Sequence, residues 1–310
     1  MTPEPESTAQ PESGQPAQPE SGQPAQPESG QPAQPESASA AQPESASAAR
    51  ARAVAANPTQ PQAVGPETVE RYGRPMRVYP VAVSSEVMAQ AWANKEAAPH
   101  GAAVVVEHEI NPRGLHGALW GTPPSDTLAC AVILRPSVAV EEAEITWLVG
   151  GLAAVEAAES ITARSYATWW PDSIVERDTG DPVAAVKAEI QLGPGQVKSA
   201  VVTVRFDLLR LECDPESGRD TLLEALVGAF DTVAARLEEG AAGVATAFGE
   251  RCAMLDKRVK VKLRPKGETR GVARRVDRAG RLEVESMSGM VERIGVNQLM
   301  ELEVVERPQG

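Results

Sequence analysis

Two spacings of apolar residues divide the chain beyond residue 75 into strands and helices. "MRVYPVAV" (76–83) reads as a strand, and "SSEVMAQAWANKEA" (84–97) as an amphipathic helix opened by serine. "GAAVVVEHEI" (101–110) reads as a buried strand that turns polar at its end, and "LACAVILRP" (128–136) as a second strand. The Pro/Gly-broken segment 111–126 between them reads as a loop. Over 140–160 the helical spacing of Ile145, Leu148, Leu152 and Val155 predicts a long core helix. Segments 181–190 and 197–209 read as adjacent strands, and 217–240 as a capped helix. From Lys257 the period shortens to two, in "RVKVKL", "TRGVARRVD", "RLEVESM", "MVERIGV" and "MELEVVE". Five short alternating strands predict a small β-barrel. The expected fold is therefore a mixed α/β (α+β) sheet domain over 67–254, followed by a small barrel over 255–310.

Composition separates the first 66 residues from this pattern. They contain no Leu, Ile, Phe, Trp or Tyr, and "AQPESGQP" starts at Ala9, Ala17 and Ala25 before drifting to "AQPESASA" at Ala33 and Ala41. With almost no apolar surface to offset backbone ordering, the segment is expected to be a disordered, semi-stiff, acidic tail. Its seven Glu and two Arg give it a net charge of -5. No apolar run approaches membrane-spanning length and no signal-peptide order opens the chain. Cys130, Cys213 and Cys252 have no metal-type spacing, as reduced thiols do. These features point to a cytoplasmic location and give no membrane role; the oligomeric state is not readable.

Charge changes the picture at the C-terminal end. The chain carries -13 overall, yet residues 257–281 hold eleven Lys or Arg against Glu268 and Asp277. Alternating strands of this kind usually present one wet charged face; an acidic partner protein or a nucleotide is the alternative. Nucleic acid is disfavoured, because this segment offers no aromatic ring for base stacking. His108 and His116 stand near Glu107 and Glu109, but strand alternation separates His108 from its neighbours, so no metal is expected.

"ATWWPDSIV" (167–175) places two tryptophans before a proline, an acid and a serine. Either they plug a core or they wall a pocket. The order of motifs resembles that of biotin protein ligases, of the biotin/lipoate ligase family, across about residues 76–306. "FGERCAMLDKRVKVKL" with "GVARRVDRAGRLEVES" looks like the helix end and opening strands of that family's SH3-like barrel. The family's first signature, "AE.Q" then "GRGRRG", a tryptophan and "SP", is matched by "VEHE", "PRGLHG" (112–117), Trp120 and "TP". Its "KWPND" is matched by "WWPDS" (169–173), its "K.AGILVE" by "PVAAVKAE" (182–189), its "GIGIN" by "TVRFD" (203–207) and its "DSTN" loosely by "VSSE" (83–86).

The resemblance implies ATP-dependent activation of a carboxylate cofactor, biotin or lipoate, to an acyl-adenylate, followed by transfer to an acceptor lysine. It implies ligand-facing roles for Ser84, Ser85, Glu109, Arg113, Gly114, His116, Gly117, Trp120, Trp170 and Asp172, and a biotin-acceptor protein as partner beside the acidic one that the charge pattern allows. Glu109 is expected either to accept from N–H groups or to be solvated.

Two anions must meet in that reaction, so the site needs cations and backbone N–H groups at close range. Here Pro112 replaces the first loop glycine, while Leu115 and His116 replace two arginines, which leaves Arg113 as the best catalytic candidate. Trp169 stands for one family lysine and Pro182 for the other. Alternation would put 182, 184 and 186 on one face and Lys187 on the other, about 16 Å further along, so Lys187 is not expected to deputise. Two functions follow from these residues: a divergent biotin or lipoate protein ligase, or a catalytically silent ligase-fold protein binding a small carboxylate, a nucleotide or a partner protein. A third is an interaction module recruited through the proline-rich tail.

Overall fold

A computed structural model describes residues 66–305. The reading of the repeats as a disordered tail concerns residues outside these. The core is an eight-stranded sheet of β1 (Thr68–Arg71), β2 (Arg74–Ala82), β3 (Ala103–Glu109), β4 (Thr127–Leu134), β5 (Tyr166–Trp169), β6 (Ser173–Glu176), β7 (Pro182–Leu192) and β8 (Val197–Asp207). Their spatial order is β1-β2-β3-β4-β8-β7-β6-β5, and only β2 and β3 run parallel. Helix α1 (Ser85–Lys95) connects that parallel pair. A parallel connection needs a crossover, and α1 supplies it.

Helices α2 (Ile145–Ile161), α3 (Arg219–Glu239) and α4 (Ala241–Arg251) cover one face of the sheet; α1 covers part of the other. Side chains alternate accordingly. Val186, Val202, Val204 and Phe206 join the large core under α2, whereas Ala131, Ile133 and Val201 pack beneath α1 with Trp92. Gly150 is required by this packing, because a Cβ there would sit 2.5 Å from Val186 Cγ1 and 2.6 Å from Val202 Cγ1.

A second sheet of five antiparallel strands follows: β9 (Arg258–Leu263), β10 (Glu268–Val276), β11 (Leu282–Glu285), β12 (Val291–Ile294) and β13 (Leu299–Val304), in the order β12-β11-β10-β9-β13. This is the small all-β module that the alternation from Lys257 predicts. It is pinned to the first domain by residues far away in sequence. Glu144, just ahead of α2, accepts from the backbone N–H groups of Val296 at 3.0 Å and Asn297 at 3.2 Å. Arg278 pairs with Glu142 at 2.9 Å. Gly280 lies against the backbone of Glu144, where a Cβ would meet its carbonyl carbon at 2.7 Å.

Three details differ from expectation. Helix α2 begins at Ile145, not 140, because Val140–Glu142 forms a separate 3-10 turn. Helix α3 has no side-chain cap: Gly218 holds the cap position, and the Ser217 hydroxyl bonds Asp214 instead. The third concerns Pro182. Val175 pairs with Pro182 while Ile174 pairs with Ala184, so β7 carries one extra residue there. A bulge inverts the alternation beyond it, which puts Pro182 on the face of Lys187 and not on that of Ala184 and Val186. The separation along the strand, on the order of 16 Å, is unaffected.

Candidate functional site

The side chains singled out by sequence fall in three places. The first is the sheet face beside the N-terminus of α1. Arg205, near the C-terminal end of β8, reaches across to Glu109 at the end of β3, with Nε to Oε2 at 2.7 Å and Nη2 to Oε1 at 3.1 Å. Both side chains are nearly inaccessible, at 3% and 5%. Glu109 Oε1 also accepts from the Ser85 N–H and hydroxyl, each at 2.7 Å. A buried charge demands such partners, and here a carboxylate at a helix N-terminus is met by a guanidinium and two further donors. Glu109 is thus neither solvated nor open to an incoming ligand: its oxygens are engaged within the protein. Ser84 is likewise committed, as its hydroxyl caps α1 by accepting from the Val87 N–H at 3.2 Å.

Lys187 stands on the same face and is tied between Glu86, at 3.0 Å, and Glu189, at 2.9 Å. Burial pushes the Glu86 carboxyl above its ordinary value despite that lysine. Burial alone would lower the Lys187 ammonium, but the two carboxylates reverse this and raise it. Arg205 and Lys187 are therefore each matched by carboxylates on this face.

The second place is the glycine-containing loop. Arg113 donates from Nε to Asn111 Oδ1 at 2.9 Å and from Nη1 to the Gly117 carbonyl at 3.0 Å, and its own carbonyl accepts from Arg205. Gly114 N–H bonds the Ala118 carbonyl at 2.8 Å, closing the loop on itself. His116 adopts a left-handed φ of 55° and Gly117 one of 78°. Burial, and then the Arg264 guanidinium, lower the imidazole below its usual value, which favours the neutral form. Trp120 Nε1 donates to Thr127 Oγ1 at 3.0 Å, which fixes the indole beside β4. His116 and Gly117 border a cleft of about 670 Å³ between the sheet and the barrel. Lys187, Arg264 and Arg281 line it against Glu141, Glu144 and Glu189, three cations to three carboxylates.

The third place answers the question posed by the paired tryptophans. Trp170 is fully buried and donates from Nε1 to the Gly280 carbonyl at 2.9 Å, so it locks the barrel's β10–β11 turn to the sheet domain. It is a plug at an internal interface, not the wall of an open pocket. Trp169 carries the Lys257 ammonium over its ring, 5.0 Å from the centroid. Asp172 keeps partial exposure, yet the surrounding protein pushes its carboxyl up to about 6, with only the Ser173 hydroxyl and its own backbone N–H opposing. Pro182 is exposed, and its carbonyl accepts from Arg210. Trp170 packs on the helix-covered side, and so is not gathered with Glu109 and Arg205.

Sequence reading missed the roles of Arg205, Glu86 and Glu144. A signal existed for Arg205: an arginine inside the apolar run "VVTVRFD" must find a buried partner. Nothing local marks Glu86 or Glu144. Among the described residues, no three His, Cys, Asp or Glu side chains gather to hold a metal ion, and no helix is long and apolar enough to cross a membrane.

No protein-family model and no curated protein sequence matches the chain. Solved structures do. A biotin protein ligase from Aquifex aeolicus in complex with biotin and ATP aligns over 74% of this chain and 99% of its own, with TM-score 0.59 and 17% identity. A biotin protein ligase-like protein of unknown function from a Silicibacter species aligns over 74% of this chain and 98% of its own, with TM-score 0.54 and 14% identity. The eight-stranded sheet with flanking helices and the separate C-terminal barrel constitute a biotin protein ligase-like fold. At these identities the likeness extends to architecture and leaves chemistry to the residues themselves.

Proposed function

We propose that this chain is a biotin protein ligase-like protein in which adenylation is impaired or lost, and that its cleft serves to bind a small anionic molecule such as a nucleotide or a carboxylate. The observation that carries this reading is the buried Arg205–Glu109 pair. If "TVRFD" stands where the ligases have "GIGIN", Arg205 fills the room of a glycine, and Glu109 meets that arginine in place of a ligand's N–H groups. The positions that match the family lysines hold Trp169 and Pro182, neither of which brings positive charge. Losing one preorganised donor for a transition-state anion costs on the order of 10²–10³ in rate. Several such losses together leave little adenylation even without full additivity.

The cleft beside His116 supports the binding half of the proposal. Arg264 borders it and forms no ion pair among the described residues, and the His116 imidazole stands beside it. The family's biotin and ATP are the first ligands to try.

Calorimetric titration of the full chain with biotin, lipoate and ATP, each alone, tests binding. Pyrophosphate release with ATP and either carboxylate tests chemistry. The expected result is saturable binding of at least one anion with a flat pyrophosphate trace. Turnover well above that of an Arg113→Ala control would overturn the silent reading and restore that of a divergent ligase, with Arg113 and Arg264 supplying the cations.

A further inference from the structure

The barrel carries a separate groove of about 830 Å³ that shares no lining residue with the cleft at His116. It lies between the β9–β10 ladder and the 285–289 turn. Four cations line it, Arg258, Lys260, Arg270 and Arg274, against the single carboxylate of Glu285. Arg258 forms no ion pair among the described residues, and Lys260 holds its carboxylates loosely, Glu268 at 3.6 Å and Glu303 at 4.0 Å. Arg270 and Arg274 form shorter pairs with Glu268 and Glu285, but both are well exposed. Exposed pairs of this kind are worth little and exchange readily for other carboxylates.

One wall is apolar. Met287 lines the groove and is 93% exposed, with Met290 on the same turn at 74%. Ser286 N–H bonds the Met290 carbonyl at 2.8 Å, so the two side chains are presented on a closed turn. Unbranched, polarizable methionines suit a surface that must fit more than one apolar side chain. The floor is shaped by Gly271, where a Cβ would run into the Glu285 carbonyl.

We propose that this groove docks an acidic linear peptide segment of a partner protein, with an apolar side chain against Met287 and flanking carboxylates at Arg258, Arg270 and Arg274. Charge complementarity selects the acidic partner, and the apolar wall selects a peptide over a simple anion. A nucleic acid fits less well, since no aromatic side chain lines the groove to stack a base. The surface is independent of whether the His116 cleft binds or reacts.

The test is fluorescence anisotropy of the full chain with a fluorescein-labelled peptide of Asp and Glu around a central Leu-Leu pair. Saturable binding is expected. It should weaken at least about tenfold in Arg258→Glu/Arg270→Glu and several-fold in Met287→Ser, and remain unchanged in Lys198→Glu, which alters charge elsewhere. All these positions are exposed, and circular dichroism checks that each variant folds. Should the double variant fold poorly, Met287→Ser alone decides. Absence of saturable binding, equal affinity for a charge-matched single-stranded oligonucleotide, or indifference to these variants would overturn the proposal.

Discussion

Removing one half of the Arg205–Glu109 pair should damage the fold far more than any surface charge change. In Glu109→Ala the guanidinium keeps its place under the sheet face with only the Arg113 carbonyl, at 3.3 Å, as a partner. Breaking a buried pair by deleting one partner costs about 3–5 kcal/mol, because an uncompensated charge stays behind. For a domain of this size about 1 kcal/mol shifts Tm by roughly 2–4 °C, so the expected fall is on the order of 6–20 °C. Replacing both partners by apolar residues of similar volume, as in Glu109→Leu/Arg205→Met, removes the orphaned charge and should recover most of the loss. Denaturant unfolding of the wild type, both single variants and the double variant gives the coupling directly, and about 2 kcal/mol or more is expected. Glu107→Ala, two residues away and exposed, serves as the control and should stay within about 0.5 kcal/mol. A Glu109→Ala effect no larger than that control, or a coupling below about 0.5 kcal/mol, would refute the reading of this pair as a buried, mutually dependent unit.

Trp170→Ala should cost about 3–5 kcal/mol, and hydrogen exchange should report faster opening of the 277–281 turn, which the indole holds through Gly280. Trp170→Phe keeps much of the packing but leaves the buried carbonyl unpaired, for about 1–3 kcal/mol. Glu144→Ala should make the 295–298 segment markedly more sensitive to limited proteolysis, since two backbone N–H groups lose their acceptor. Asp172 predicts a pH dependence. A carboxyl that titrates at about 6 when folded and near 3.8 otherwise binds its proton more tightly in the fold. Stability is then lost as pH rises from about 4 to about 6, with no further change above. Asp172→Asn should gain on the wild type across that window, by at most about 3 kcal/mol given about 1.4 kcal/mol per pKa unit. A difference that stays constant from pH 4 to pH 8 would contradict this.

Period-two alternation marked the barrel strands and period 3.6 marked α2, because both patterns are set by neighbours along the chain. The start of α2 was misplaced for a local reason: Glu141, Glu142 and Glu144 look like an acidic first turn, yet two of them are drawn off to the barrel. Extra residues are invisible to alternation, so the bulge that turns Pro182 over could be seen only in the pairing of β6 with β7. The site was harder still. Motif positions identified Glu109, Arg113 and Trp170 as points of interest; the Arg113 side chain bonds within its own loop, but what Glu109 and Trp170 touch depends on partners about a hundred residues away. Arg205 lies 96 positions from Glu109, and Gly280 lies 110 from Trp170. Pairings of that span carry no periodic signature.

The Glu144 contact has one more result, for the way the molecule comes apart. Its carboxylate belongs to the sheet domain, its two donors to the barrel, and the chain between them spans some 150 residues. Trp170 and Arg278 bridge the same seam. Modules separated by a linker melt independently, each with its own heat-absorption peak. Here the barrel gives up its anchors as soon as α2 frays, and α2 loses the turn that covers its first residues once the barrel leaves. Scanning calorimetry should accordingly record one peak, with van't Hoff and calorimetric enthalpies that agree.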